Sequence, residues 1–255
     1  MIYLFKDYHN LIVKALNRQF SFLIVNILLT LSSYPYCQSS LLINNFEKKD
    51  YRAGNQNWSI CLGMQNHILF GNNNGLLCFD GASWKIKPHP NNTTIRSVLT
   101  AKNRIYAGSF EDFGYYEILN NSVGNYFSLA KPFRSSIHNE EFWRIVSIKD
   151  IIFFQSFGTI FYLSKDRIGK IPLDFSVLLL MQAGENIFTQ AINGPIYRVD
   201  TLGLKQIKGS EIFKNTEVKS VVVLNSDTLF LTSTMGIFRF DGNAFTPWKT
   251  SIDIQ

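Results

Sequence analysis

Between Trp58 and Lys249 one pattern recurs five times: an apolar run of strand length, a short turn, a glycine, and a second apolar run. The copies cover 68–81, 105–117, 151–163, 187–200 and 229–242, and the first and last close on Asp-Gly. Their glycines, Gly75, Gly114, Gly158, Gly194 and Gly236, lie 39, 44, 36 and 42 residues apart. That period suits a four-stranded propeller blade and is unlike a helical repeat.

Each copy carries its own physical reason. Runs of Ile, Leu, Phe, Tyr and Val bounded by Gly, Asn, Ser and Asp fit pleated strands, and the gap across Gly75 or Gly236 has hairpin length. Glycine suits a turn with positive φ, where a Cβ would clash. Upstream of each hairpin stands another apolar run, at 58–62, 95–99, 143–147, 177–181 and 218–224, which should be the innermost strand. The expected fold class is therefore all-β: a β-propeller with about five four-stranded blades, at 57–90, 91–134, 135–175, 176–215 and 216–250. One sheet cannot bury both faces, so each blade depends on its neighbours.

The chain opens differently. Residues 1–19 hold Lys6, Lys14 and Arg18 against Asp7, 20–31 are almost wholly apolar, and 32–40 are small or turn-forming. This is the layout of a secretory signal peptide, assigned to 1–39 and expected to be helical, with the propeller filling 40–255. Its apolar run is short for a spanning helix, so cleavage near Cys37 is expected. The leader holds three of the 25 basic and one of the 19 acidic residues, which leaves a formal balance of about +4. The basic residues are scattered, and an exported chain would not meet nucleic acid, so none is expected as a partner. Cys61 and Cys78 are separated by an intervening strand, too far for a bridge, and read as small core residues.

Catalytic signatures are scarce. His9, His67, His89 and His138 lack metal-ligand spacing, and the Asn-rich turn at 71–75 is not a phosphate loop because neither a Lys nor a helix follows it. No metal, cofactor or catalytic residue is assigned, and the chain is read as a non-enzyme. The acidic pairs Glu111-Asp112 and Glu140-Glu141 suit solvated loops better than a glycosidase dyad.

One constellation points to binding. Arg96, Arg144 and Lys219 stand near the starts of the second, third and fifth inner strands, so a propeller would turn them towards a common channel. Beside them come Trp143 and the loop aromatics Phe110 and Phe113. Cations with aromatic plates suit a small anionic molecule or an oligosaccharide: guanidinium forks grip carboxylates while ring faces cover apolar sugar surfaces. The competing reading pairs these cations with Glu140, Glu141 or Asp112 as structural ties.

Several stretches then become familiar: 48–59, with Ala53-Gly54-Asn55-Gln56-Asn57-Trp58; Phe79-Asp80-Gly81-Ala82-Ser83-Trp84; Gly108-Ser109-Phe110-Glu111-Asp112-Phe113-Gly114-Tyr115; and Glu140-Glu141-Phe142-Trp143-Arg144-Ile145. They closely resemble the amino-terminal periplasmic propeller of the Bacteroidetes two-component regulator propeller, triple-tyrosine-motif sensors. The likeness runs from about Asn44 onward and is specific in the first three blades. It implies an exported sensing region followed by a tyrosine-rich immunoglobulin-like module, one membrane span, and a DNA-binding or histidine-kinase output. Gln255 falls where alignment with 90–94 places the start of a sixth inner strand, so an amino-terminal fragment is expected.

Three functions follow from these readings. The first is a periplasmic ligand-sensing propeller of a signal-transduction or transcription regulator, membrane-anchored in full-length form. The second is an exported polysaccharide-active enzyme or carbohydrate-binding propeller, which would need a buried acid pair. The third, a purely structural repeat, would turn no charged groups to the channel.

Overall fold

The computed structural model describes residues 43–120 and 122–249. The expected signal segment lies outside them; the compact body begins at Phe46. A single-turn helix, α1 (Lys48–Tyr51), precedes five four-stranded antiparallel sheets. The first comprises β1 (Asn57–Leu62), β2 (Ile68–Asn72), β3 (Gly75–Phe79) and β4 (Trp84–Lys87). The second comprises β5 (Ile95–Ala101), β6 (Arg104–Ser109), β7 (Asp112–Leu119) and β8 (Ser122–Ser128). The third holds β9 (Arg144–Ile148), β10 (Ile151–Gln155), β11 (Ile160–Ser164) and β12 (Arg167–Ile171). The fourth holds β13 (Met181–Ala183), β14 (Asn186–Gln190), β15 (Ile196–Asp200) and β16 (Gly203–Gln206), and the fifth β17 (Val218–Leu224), β18 (Asp227–Thr232), β19 (Ile237–Phe240) and β20 (Phe245–Pro247). Within every sheet spatial order follows chain order, the meander expected of propeller blades.

Burial is organised between sheets. Four apolar clusters each draw on two successive blades: Leu76 with Ile95 and Tyr116, Phe113 with Phe154 and Phe161, Phe153 and Ile160 with Leu180 and Ile187, and Phe188 with Phe213 and Phe230. Each sheet face is thus covered by the next, and truncating one wholly buried ring such as Phe154 would cost about 3–5 kcal/mol. The two terminal faces differ. On the first blade Phe46 and Tyr51 cover Phe79 and Trp84 edge-on, yet Ile60 and Leu62 stay 65% and 63% exposed. On the last blade Val222 and Leu224 are open to solvent.

Two local expectations need correction. The fourth inner strand is not continuous from Val177: that residue bridges Ala191, but regular pairing resumes only at Met181. Between them the ladder is broken because side chains take its backbone groups: Leu180 N–H donates to Gln155 Oε1, and Thr189 Oγ1 donates to the Leu178 carbonyl. Glycine also has different causes in different blades. Gly75 (φ 128°) and Gly236 (φ 81°) are left-handed as expected, but in the second and fourth hairpins Glu111 and Asn193 carry the positive φ. Gly114 instead leaves room for the Phe127 carbonyl and the Tyr126 hydroxyl. Cys61 and Cys78 are free thiols, and burial pushes the Cys78 thiol up to about 11, which leaves it unreactive at neutral pH.

Candidate functional site

The starts of the inner strands and the hairpins joining each blade's second and third strands share one end of the sheets. A backbone bridge joins Phe110, in the second blade's hairpin, to Glu141, just ahead of the third inner strand. The register slips by one residue at Trp58 on β1, at Arg96 on β5 and at Lys219 on β17. A bulge re-aims the residue that carries it, and here it places large or charged side chains at matching positions.

Two of these, Trp58 and Arg96, meet Trp143, the residue just ahead of β9. The Arg96 guanidinium lies 3.9 Å from the ring centre of Trp58 and 4.7 Å from that of Trp143, and the two indoles are 5.7 Å apart, edge to face. Trp58 Nε1 donates to Asn73 Oδ1 at 2.7 Å, and Trp143 continues onto Phe157 at 5.7 Å. The result is a partly exposed aromatic platform with a cation sandwiched inside it.

Arg96 is also tied to the neighbouring crossover. Its Nε and Nη2 donate to Glu141 Oε2 and Oε1 at 2.9 and 2.8 Å, a two-pronged pair, while Nη1 is buried without a hydrogen-bond partner. This is the structural tie the sequence left open, and it leaves Arg96 little capacity to grip an anion. Arg144 is different: exposed, its Nε donates only weakly to the Leu180 carbonyl at 3.2 Å, and among the described residues no carboxylate pairs with it.

The remaining sequence candidates divide. Arg144 does not occupy the slot of Arg96. Gly108 and Gln155 each precede a serine and an exposed Phe, and they pair with Ser97 and Arg144, so the counterpart of Arg96 is Trp143. Lys219 does sit in the matching bulge, but it is exposed and forms its ion pair with Glu217, two residues back. Phe110 is exposed at its hairpin tip, as expected. Phe113 is not a loop aromatic: it lies on β7, wholly buried, 4.7 Å from Phe142 and 4.8 Å from Phe154, so it belongs to the core between blades. Trp58 and Phe157 were missed, whereas Glu141 is the partner that the competing reading named. The shared slot of Trp58 and Arg96, each just before an inner-strand serine, was the available signal.

Of the two acidic pairs, Glu111 Oε1 accepts the Asn139 N–H at 2.7 Å and lies 2.8 Å from His138 Nδ1, and Glu141 is engaged with Arg96.

No family profile matches the chain, and no curated protein matches it by sequence. Solved structures do. The extracellular domain of the hybrid two-component system BT4673 from B. thetaiotaomicron superposes with a TM-score of 0.55 at 14% identity, over 75% of this chain and 27% of that one. The computationally designed protein Ika8 gives 0.53 at 11% identity, over 75% and 60%. The WD40 propeller domain of Doa1 gives 0.52 at 13%, over 75% and 67%. The chain therefore spans about a quarter of the BT4673 domain's length. At such identities the likeness concerns fold, and it agrees with the sheets themselves: the chain is an all-β protein of propeller architecture.

Proposed function

We propose that this chain is the ligand-sensing propeller region of an exported signal-transduction protein, and that its ligand docks at the starts of the first three inner strands. The observation that carries this reading is the Trp58, Arg96 and Trp143 stack, partly open to solvent; Arg144, next in the chain, is exposed, reaches the Leu180 carbonyl and has no carboxylate partner among the described residues. In water such a face is a cost unless something covers it. Aromatic plates and one free cation suit a sugar ring or a small organic anion.

Two further points support a sensor. The BT4673 domain, similar in fold, is the extracellular part of a hybrid two-component system, and the motifs around Trp58, Glu111 and Trp143 resemble those of periplasmic sensor propellers. A leader of signal-peptide layout fits the same location. Signalling would be a population shift: the ligand favours one arrangement of the blades and of whatever module follows them, and the coupling is reciprocal.

The test is an array of neutral and acidic oligosaccharides probed with the exported chain, followed by calorimetry on the hit. Trp143→Ala and Arg144→Ala should each weaken binding tenfold or more while the melting temperature stays within a few degrees. An array without a hit, or a hit indifferent to both substitutions, would overturn the reading.

A further inference from the structure

The crossover into the second blade, the β6–β7 hairpin and the short turn Lys131–Ser136 enclose a cavity of about 380 Å³. Its walls are Asn91, Thr93, Phe110, Glu111, Asp112 and Arg134. Only Phe110 is common to this cavity and the residues already considered for the aromatic face. Two carboxylates and one guanidinium open onto a single small-molecule-sized space.

Asp112 is the deepest of them, its side chain only 7% exposed. Oδ1 accepts the Ser128 hydroxyl at 2.6 Å, whereas Oδ2 has His89 Nε2 at 3.7 Å, beyond hydrogen-bond length. The His89 ring is completely buried, and its Nδ1 accepts the Asn91 N–H at 3.2 Å. The ring proton therefore sits on Nε2, which points at Asp112 without an acceptor. Behind it the buried hydroxyl of Tyr116 is likewise without a partner among the described residues, and that of Tyr126 lies against Asp112. Buried polar groups left unsatisfied around one carboxylate are rare and mark a place built for something more than packing.

The outer wall complements this floor. Glu111 is fixed in a left-handed turn, and its carboxylate is held by the Asn139 N–H and by His138. Arg134 is exposed, with no carboxylate paired to it among the described residues. A simple anion would face two carboxylates here, a simple cation would face Arg134, and a neutral sugar would leave Asp112 and Arg134 without a charged partner.

We propose that this cavity binds a small zwitterion of the amino-acid class, with its ammonium between Asp112 and Glu111, its carboxylate on Arg134 and its side chain against Phe110. Such a molecule satisfies each charge with its opposite, which binding sites use for specificity. The site is separate from the aromatic platform and does not depend on it.

The experiment is calorimetric titration of the full chain with each of the twenty L-amino acids, and with ethanolamine and lactate, which carry one charge each. The expected result is single-site binding of at least one amino acid, at least tenfold tighter than either half-molecule. Arg134→Ala and Glu111→Gln, both away from the core, should weaken it tenfold or more, and Trp143→Ala should leave it unchanged. The proposal falls if no amino acid binds at millimolar concentration, if lactate or ethanolamine binds as well as the amino acid, or if Arg134→Ala binds like the parent.

Discussion

Arg96 and Glu141, 45 residues apart, meet through two parallel hydrogen bonds that fasten the second inner strand to the crossover entering the third blade. Their side chains are only 16% and 23% exposed, so solvent screens the pair less than an ordinary surface bridge. Arg96→Ala or Glu141→Ala should each lower stability by about 1.5–3 kcal/mol, and the double-mutant cycle should return a coupling of about 1–2 kcal/mol. Arg144→Ala, which breaks no ion pair among the described residues, should stay within about 0.5 kcal/mol of the parent in urea unfolding.

Gln190 joins the fourth blade to the fifth in the same spirit. Its Nε2 donates to the carbonyls of Gly194, Phe213 and Thr216, and its Oε1 accepts the Val218 N–H that begins the last inner strand. Gln190→Leu keeps the bulk but leaves these buried backbone groups unpaired. A loss of about 2–4 kcal/mol is expected, with hydrogen exchange accelerating first at 213–218.

His89 supplies a pH dependence. Burial holds its imidazole at about 4, below the ordinary value near 6.5, so the folded chain prefers the neutral ring. Stability from this residue is full above pH 6.5, because both states are then neutral, and is lost as pH falls towards 4, where only the unfolded chain takes the proton. The loss amounts to about 3 kcal/mol by linkage. Burial also raises the neighbouring Asp112, which acts in the opposite sense as its carboxyl takes up a proton. Denaturant midpoints across pH 4–7 should show the decline, and His89→Gln should flatten it.

Gly75 tests the hairpin. At φ 128°, with Pro88 Cα and His89 N at 2.8 and 3.0 Å from where a Cβ would sit, Gly75→Ala must move the crossover. A cost of at least about 3 kcal/mol is expected from thermal melts, against about 1 kcal/mol for Gly81→Ala, which has the strain of a positive φ but open space.

The blades were legible because period and composition agree: apolar runs every forty residues or so have one economical packing, although only Gly75 and Gly236 of the five spaced glycines supply their turn's positive φ. Inner-strand detail was harder. Periodicity cannot show that Gln155 and Thr189 side chains take the backbone groups of 177–180 and shorten that strand. Nor can spacing separate Phe110 from Phe113, three residues apart, one at a hairpin tip and the other in the core, since that depends on where the hairpin reverses. The matching of Arg96 and Lys219 was readable from the Ser-Val that follows each, whereas Arg144, followed by Ile-Val, looked equivalent and is displaced by one, because its strand starts without the same bulge. Trp58 was read as the start of a strand rather than as a plate for Arg96, a contact that exists only once two blades are side by side.

The central claim is that ligand meets the chain where the first three inner strands begin. Hydrogen exchange by mass spectrometry, with and without the strongest array hit, addresses it directly. Protection should concentrate at 56–59, 94–97 and 142–145. Protection confined to the opposite-end turns at 101–104 and 148–151, or none anywhere at saturating ligand, would contradict it.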